Sequence, residues 1–411
     1  MDARSRILFV SGSLGLGHVV RDLAIAREIR HLRPGATISW LAASPAREYL
    51  DAEGEQVIPE SDRFADVTTV ADRRAHDGEF NISLWALSVR GQWEANAHLY
   101  AELVEGGAYD LAIGDETYEI AMALKERPIL GRTPFVILYD FVGLDRMSLN
   151  PMEAFGVYMF NRIWATAPKG YTVAFVGEPE DIPDRSFGPF LPNRRVFAAQ
   201  HYRFVGYALQ FDPADYADRA ALRVRLGYGD GPLVIATVGG TGAGRLLLDL
   251  CIAAFPQARQ AVPGLQLVLV GGPRVEAGGG GLPEGVIARG FVPRLYEHFA
   301  AADLTVTQAG GTTTLELTAL GRPFLYFPIE GHCEQMIHVC ERLARHKAGV
   351  RMSYRHTTPA MLADGIVAGL ATKPQVQPMR LDGARRVAEL ACEMLERGAS
   401  AAPAAPAAPA A

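Results

Sequence analysis

Short runs of β-branched and aliphatic residues alternate along the whole chain with longer segments whose apolar positions recur every three or four residues. That alternation predicts parallel sheets covered by helices on both faces, since parallel strands need crossover connections and are buried on either side. In the first half the expected strands are RILFVSGS, TISWLAAS, EQVIP, LAIGDE, PFVILYDF and TVAFVGE. In the second half they are PLVIATVGG, LQLVLVGG, VIARGFV, LTVTQAG, PFLYFPI and GVRMSY. Each half reads as a doubly wound α/β unit of its own. A cleft is therefore expected between them, with ligands at the carboxyl ends of the strands.

The segment EPEDIPDRSFGPFLPNRRVFAAQHYRFVGYALQFDP is rich in proline and weakly periodic, which marks a linker or an extended crossing. The expected division is residues 1–205 for one domain and 206–398 for the second, with 399–411 a disordered Ala/Pro tail. Near the end, LDGARRVAELACEMLERG puts Leu381, Ala384, Val387, Leu390, Ala391 and Met394 on one helical face. A face of that width needs a partner, and the first domain is a candidate for it.

A chain of 411 residues exceeds what one ordinary core holds, which agrees with two domains. Apolar residues make up 49% and charged residues 21%, as in soluble globular proteins. With 40 basic against 46 acidic residues, the formal charge of −6 offers no broad attraction for nucleic acid. Cys251, Cys333, Cys340 and Cys392 lack disulfide-framework or zinc-ribbon spacing, which points to a reduced compartment and so to the cytoplasm. MDARSR runs straight into the first strand without the apolar segment of a signal peptide, and no apolar run approaches a spanning length. A peripheral contact at the inner membrane face, through a stretch such as NISLWALSVRGQW, stays open beside the reading of that stretch as core.

Candidate chemistry sits in three glycine-rich turns between a strand and a helix. In SGSLGLGHVVRD the glycines Gly12, Gly15 and Gly17 clear the backbone, and His18 follows where the helix begins. A dinucleotide-binding reading fails on two counts. The spacing is G-x-x-G-x-G-H, and the second strand ends in LAAS without the acidic residue that would hold a ribose. A helix N-terminus favours the neutral imidazole, which permits His18 to act as a base near pH 7; the alternative is a simple helix cap. TVGGTGAGRLLLDL repeats the device, and so does QAGGTTTLELTALGRP. Their backbone N–H groups and helix dipoles suit an anion. Glu316, one turn inside the last helix, would repel phosphate; it suits hydroxyl groups, or else closes a capping box with Thr313. Arg21, Arg245 and Arg322 are the basic residues nearest the turns. Only Arg245 is carried forward as a contact for a diphosphate.

GLGHVVRD, together with RGFVPRLYEHFAAADL and QAGGTTTLELTALGRPFLYFPIEGHCEQMIHVCERL, resembles the glycosyltransferases of the GT-B fold. The likeness is to the branch that holds the lipid II-forming N-acetylglucosaminyltransferase of peptidoglycan synthesis, with natural-product and UDP-glycosyltransferases as cousins. It implies two Rossmann-like domains facing across a cleft. The second half would bind a nucleoside diphosphate sugar, with the backbone near Phe291 and Val292 toward the base and Glu316 toward the ribose. Gly240, Thr241, Gly311 and Thr312 would hold the diphosphate, and Glu334 and Gln335 the donor sugar. His18 would be the general base, oriented by Asp115, with Gly15 and Gly17 on the acceptor side. The resemblance further implies an inverting transfer of a hexose-type sugar, with a UDP-sugar favoured, to a small-molecule or lipid-linked hydroxyl. It implies no metal and no cofactor beyond the co-substrate, and the chain has no Asp-x-Asp triplet. His332, Cys333, His338 and Cys340 do not have the spacing of a tetrahedral metal site. A nucleotide-sugar hydrolase and a non-catalytic nucleotide-sugar sensor of the same fold are the competing readings, with an NAD oxidoreductase behind them.

Overall fold

A computed structural model describes residues 5–11, 16–67, 88–127, 132–238, 244–271 and 281–401. Gly12, Gly15, Gly240 and Thr241, the NISLWAL part of NISLWALSVRGQW and most of the Ala/Pro tail lie outside the described residues. The chain builds two six-stranded parallel sheets. The first contains β1 (Arg6–Val10), β2 (Thr37–Leu41), β3 (Leu111–Asp115), β4 (Phe135–Tyr139), β5 (Thr172–Phe175) and β6 (Tyr202–Phe204), in the order β2-β1-β3-β4-β5-β6. The second contains β7 (Leu233–Thr237), β8 (Gln266–Val270), β9 (Val286–Arg289), β10 (Leu304–Gln308), β11 (Phe324–Phe327) and β12 (Val350–Arg351), in the order β12-β11-β10-β7-β8-β9.

Period-two alternation explains why these strands read as unbroken apolar runs. On β1, Ile7 and Phe9 enter one core while Leu8 and Val10 enter the core on the opposite face. On β7, Val234 and Ala236 face one way, Leu233 and Ile235 the other.

Two expectations about strands need correction. EQVIP does not form a strand; Val57 makes only an isolated bridge to Trp40, and Pro59, which lacks an N–H, starts a 3₁₀ turn at Pro59–Arg63. YRF, assigned above to the crossing segment, is instead the edge strand β6, pairing with β5 through Val173–Tyr202 and Phe175–Phe204.

Strand order locates the crevices. The chain leaves β1 for β2 on one side and returns to β3 on the other, so the first sheet reverses direction between β1 and β3. In the second sheet the reversal lies between β7 and β10. Loops diverge at such switch points and open a crevice at the carboxyl ends. His18 and Asp115 follow from the first reversal, Gly311 and Thr312 from the second.

The domains are joined twice. The extended run after β6 lies beside the segment that enters the last helix: the Tyr207 N–H donates to the Arg380 carbonyl at 2.8 Å and the Gly383 N–H to the Tyr207 carbonyl at 3.0 Å. Gly206 has φ +82°, and a Cβ there would stand 2.8 Å from the Arg380 carbonyl oxygen, so the close approach requires glycine. Beyond it, the helix Gly383–Ala401 returns to the first domain, where Val387, Ala388, Ala391 and Leu395 pack with Val19, Leu23, Ala26 and Ile29 of α1 (Leu16–Leu32). Burying Val387 and Leu395 contributes roughly 1.5–3 kcal/mol each. A polar clamp adds to this: Arg345 of the second domain reaches Glu178 and Asp181 of the first at 2.6 Å each, and Tyr207 donates to Asp181 at 2.7 Å.

Candidate active site

Helix α1 buries two charged residues, Arg21 and Asp22, at its start, where an amphipathic helix would place apolar groups. Burying a guanidinium is tolerable only if it is paired. Arg21 is: Nε and Nη2 fork onto the Asp115 carboxylate at 2.7 and 2.5 Å, and Nη1 donates to Asp140 at 2.6 Å. Asp115 ends β3, and Asp140 directly follows β4. The two aspartates thus arrive at the carboxyl ends of neighbouring parallel strands, Asp140 two residues beyond the Leu138 that pairs with Asp115, and one cation spans them.

His18, in the first turn of α1, touches the same group. Its Nδ1 lies 3.3 Å from Asp115 Oδ2 and 3.0 Å from Arg21 Nη2, while Nε2 lies 3.8 Å from Glu116 Oε2. Nδ1 therefore faces an acceptor and a donor at once. With a proton on Nδ1, the ring donates to Asp115 and Nε2 carries the free lone pair. Without it, Nδ1 accepts from Arg21 and the proton sits on Nε2.

Charge in the cluster is divided between partners. Burial opposes ionisation of Asp115, yet Arg21 and His18 hold it well below the usual carboxylate range; burial and the Asp115 charge push Asp22, which accepts from the Ser11 hydroxyl at 2.7 Å, well above it. Asp140 behaves like Asp115, held low against burial by Arg21 and by a hydrogen bond with Glu116. Glu116 is driven up by burial and by Asp140, and its Oε1 has no partner. In each pair one carboxyl is thus held low and its neighbour is raised.

Across the cleft stands the helix α2 (Gly311–Ala319), whose first turn no side chain caps. It approaches α1 so closely that a Cβ on Gly17 would lie 2.5 Å from Thr312 Oγ1. From Gly311, a Cβ position would be 3.4 Å from Glu334 Oε1, 3.8 Å from Asp140 Oδ2 and 3.9 Å from Arg342 Nη2. Arg342 is buried and donates to the Gly311 carbonyl at 2.9 Å. Both domains therefore contribute charge to one small volume. Burial and the Asp140 charge push Glu334 up to about 7.

The remaining expected residues divide. Glu316 is buried, raised to about 8 by burial, and hydrogen-bonded with Gln210, so no capping box with Thr313 forms. Phe291 is half exposed and meets the Tyr49 ring edge-on at 6.2 Å, with Val292 packed beneath. Gln335 uses its carbonyl oxygen on the Ile329 N–H at 3.0 Å, which leaves only its amide N–H₂ for a sugar. Arg245 lies along its own helix, Arg245–Ala261, with Nε on Asp249 at 2.9 Å. Glu334 and Gln335 open a π-helical stretch, Glu334–Val339, and His338 in it donates from Nε2 to the Gly143 carbonyl of the first domain at 3.1 Å. Its role is an inter-domain contact. Among the described residues no three His, Cys, Asp or Glu side chains converge as a metal site.

Sequence reasoning missed Asp140, Glu116, Arg342 and Tyr49, and set Arg21 aside after weighing it as a diphosphate contact or a surface helix position. One signal was available. VILYDF ends a strand in aspartate just as LAIGDE does, and two such ends in one parallel sheet imply a shared cation.

Two Rossmann-like parallel-sheet domains with their switch points apposed define the GT-B class, and solved structures agree on the fold. The glycotransferase of kitacinnamycin superposes with a TM-score of 0.60 at 16% identity, covering 95% of this chain and 99% of that one. A calicheamicin glycosyltransferase gives 0.57 at 16% identity over 96% and 99%. Residues 237–393 match the glycosyltransferase family 28 C-terminal domain. The UDP-N-acetylglucosamine–N-acetylmuramyl-(pentapeptide) pyrophosphoryl-undecaprenol N-acetylglucosamine transferase of Rhodopseudomonas palustris (strain BisA53) is 31% identical over 40% of this chain and 48% of its own. The enzyme of that name from Streptomyces avermitilis is 27% identical over 68% and 81%. The chain thus spans about half the length of the first of these relatives. The second half of the chain thus resembles the glycosyltransferase family 28 C-terminal domain, and the whole chain has the GT-B fold.

Proposed function

We propose that this protein transfers a hexose-type sugar from a nucleoside diphosphate donor, a UDP-sugar in the first instance, to a hydroxyl of a small-molecule or lipid-linked acceptor, with inversion. The observation that carries this reading is the meeting of His18 with Asp115 at 3.3 Å, opposite the uncapped start of α2. With its proton on Nδ1 and held by Asp115, His18 takes the acceptor proton at Nε2 as the oxygen attacks the anomeric carbon. The bond to the diphosphate breaks on the opposite face, and its electrons go to the departing phosphate oxygen. First-turn N–H groups at Gly311 and Thr312, with Arg342 behind them, stabilise that charge without requiring a metal. Glu334, neutral or charged near pH 7, is suited to hydrogen-bond donor-sugar hydroxyls, and Glu316 is suited to the ribose. Among the described residues no helix is long and apolar enough to cross a membrane, and any membrane contact belongs to the same proposal as the lipid-linked acceptor.

The test is nucleoside diphosphate release from UDP- and dTDP-sugars, with and without an acceptor pool, read alongside mass spectrometry of the products. Acceptor-dependent release, lowered about 10²- to 10⁴-fold by His18→Ala, supports transfer. Equal release with donor alone, and a product of free sugar, makes the protein a hydrolase. No release with any donor sinks both.

A further inference from the structure

Asp115, the carboxylate beside His18, has little charge to spare. Arg21 Nε donates to Asp115 Oδ2 at 2.7 Å and Nη2 to Oδ1 at 2.5 Å, so a cation engages both oxygens before the imidazole does. Asp115 and Arg21 are together neutral. A proton arriving on His18, whose side chain is only 15% exposed, would leave a positive charge beside a neutral pair in a buried place. Arg21 has a third nitrogen, and Nη1 donates to Asp140 at 2.6 Å. Asp140 is held low by Arg21 and by its hydrogen bond with Glu116, so it brings a second negative charge. The other acids facing the ring do not. Glu116, with Oε2 3.8 Å from Nε2, is driven up by burial and by Asp140, and Asp22 is driven up by burial and by Asp115. Glu334, from the second domain, is raised to about 7 and has Arg342 against it.

We propose that Asp140 is a positioning residue for the base: through Arg21 it supplies the negative charge that balances the imidazolium formed when His18 takes the acceptor proton. The proposal rests on the glycosyl-transfer reading above and names what keeps its base strong. Asp115, Arg21 and Asp140 together carry one net negative charge. The proton that leaves the acceptor oxygen for Nε2 brings the cluster to neutrality, with the Nδ1–H directed at Asp115 Oδ2, 3.3 Å away. An arginine forked onto the carboxylate of a base would by itself weaken that base, and the second carboxylate cancels the arginine. At an effective dielectric constant of about 20, a unit charge within about 12 Å changes a proton affinity about tenfold. Asp140 is well inside that range, since only the Arg21 guanidinium stands between it and the ring.

The experiment follows protonation of His18 by nitrogen-15 NMR of the full-length protein labelled at histidine, with neither donor nor acceptor present. Loss of the signal in His18→Asn assigns it among the ten histidines. Glu116 is pushed up by the Asp140 charge and is freer to ionise without it, so the test chain carries both Asp140→Asn and Glu116→Gln, each of which keeps a hydrogen-bonding oxygen. Expected is proton binding by His18 about tenfold weaker than in wild type, and its recovery when Arg21→Gln is added, because Asp115 then has no cation to cancel it. Asp140→Glu alone, which keeps the charge, should stay within about threefold of wild type, and it decides the matter if the triple variant does not fold. Unchanged proton affinity in the test chain, a further fall on adding Arg21→Gln, or a tenfold loss in Asp140→Glu overturns the proposal. The two readings fail separately. Weakened proton binding as expected, with no sugar transfer from any donor to wild type, leaves the charge balance standing and sinks the transferase. Sugar transfer by wild type, with His18 protonation unchanged in the test chain, does the reverse.

Discussion

Replacing Arg21 with methionine tests the physical core of the site without relying on activity. The side chain is 6% exposed and makes four hydrogen bonds, to both oxygens of Asp115, to Asp140 and to His18. Methionine fills much of the volume but leaves two carboxylates, the fully buried Asp115 and the partly buried Asp140, without their shared cation. Breaking a buried pair by removing one partner costs about 3–5 kcal/mol. For a domain near 200 residues that corresponds to a melting point roughly 6–20 °C lower. The sign with pH follows from the lowered values of both aspartates. Their stabilising contribution is fully present above the ordinary carboxylate value and is lost as pH falls through the lowered folded-state values. Wild type should therefore exceed Arg21→Met by the full amount in urea titrations at pH 7.5, and the gap should narrow below about pH 4. Arg21→Lys, which keeps the charge but loses the fork, should recover part of it. A gap under about 1 kcal/mol at pH 7.5, or one that widens on acidification, would refute the argument that Arg21 pairs both carboxylates.

Two further outcomes are expected. Gly17→Ala drives a methyl group into Thr312 and should cost about 1–3 kcal/mol of domain closure, raising the UDP dissociation constant by roughly tenfold in calorimetry; Thr312→Gly in the same chain should restore it, and a failure to restore would place the defect elsewhere. Glu316 is raised to about 8, so its ionisation favours the unfolded chain progressively from about pH 4.5 up to pH 8; Glu316→Gln should be stabilising across that window and neutral below it, and a pH-independent difference in denaturation midpoints would contradict its burial as a neutral acid.

Twelve short apolar runs and their spacing determined the α/β class, because burial on both faces removes polar alternation from a parallel strand. They placed eleven of the twelve strands found; only EQVIP failed and only β6 went unassigned. His18 and Asp115 were readable for a local reason, since Asp115 ends a strand, His18 opens the helix that follows one, and a strand end in such sheets faces a crevice. Arg21 was not, because its surroundings are non-local. Nothing within its own helix signals that Asp115 and Asp140, 94 and 119 residues away, converge on its guanidinium. The same holds for the raised values of Glu116, Glu316 and Glu334, which depend on burial and, for Glu116 and Glu334, on the charge of Asp140 brought in by another element. Sequence patterning determines which way a side chain points from its own element; whether another element arrives to desolvate it, pair it or leave it open was decided only when the two sheets met.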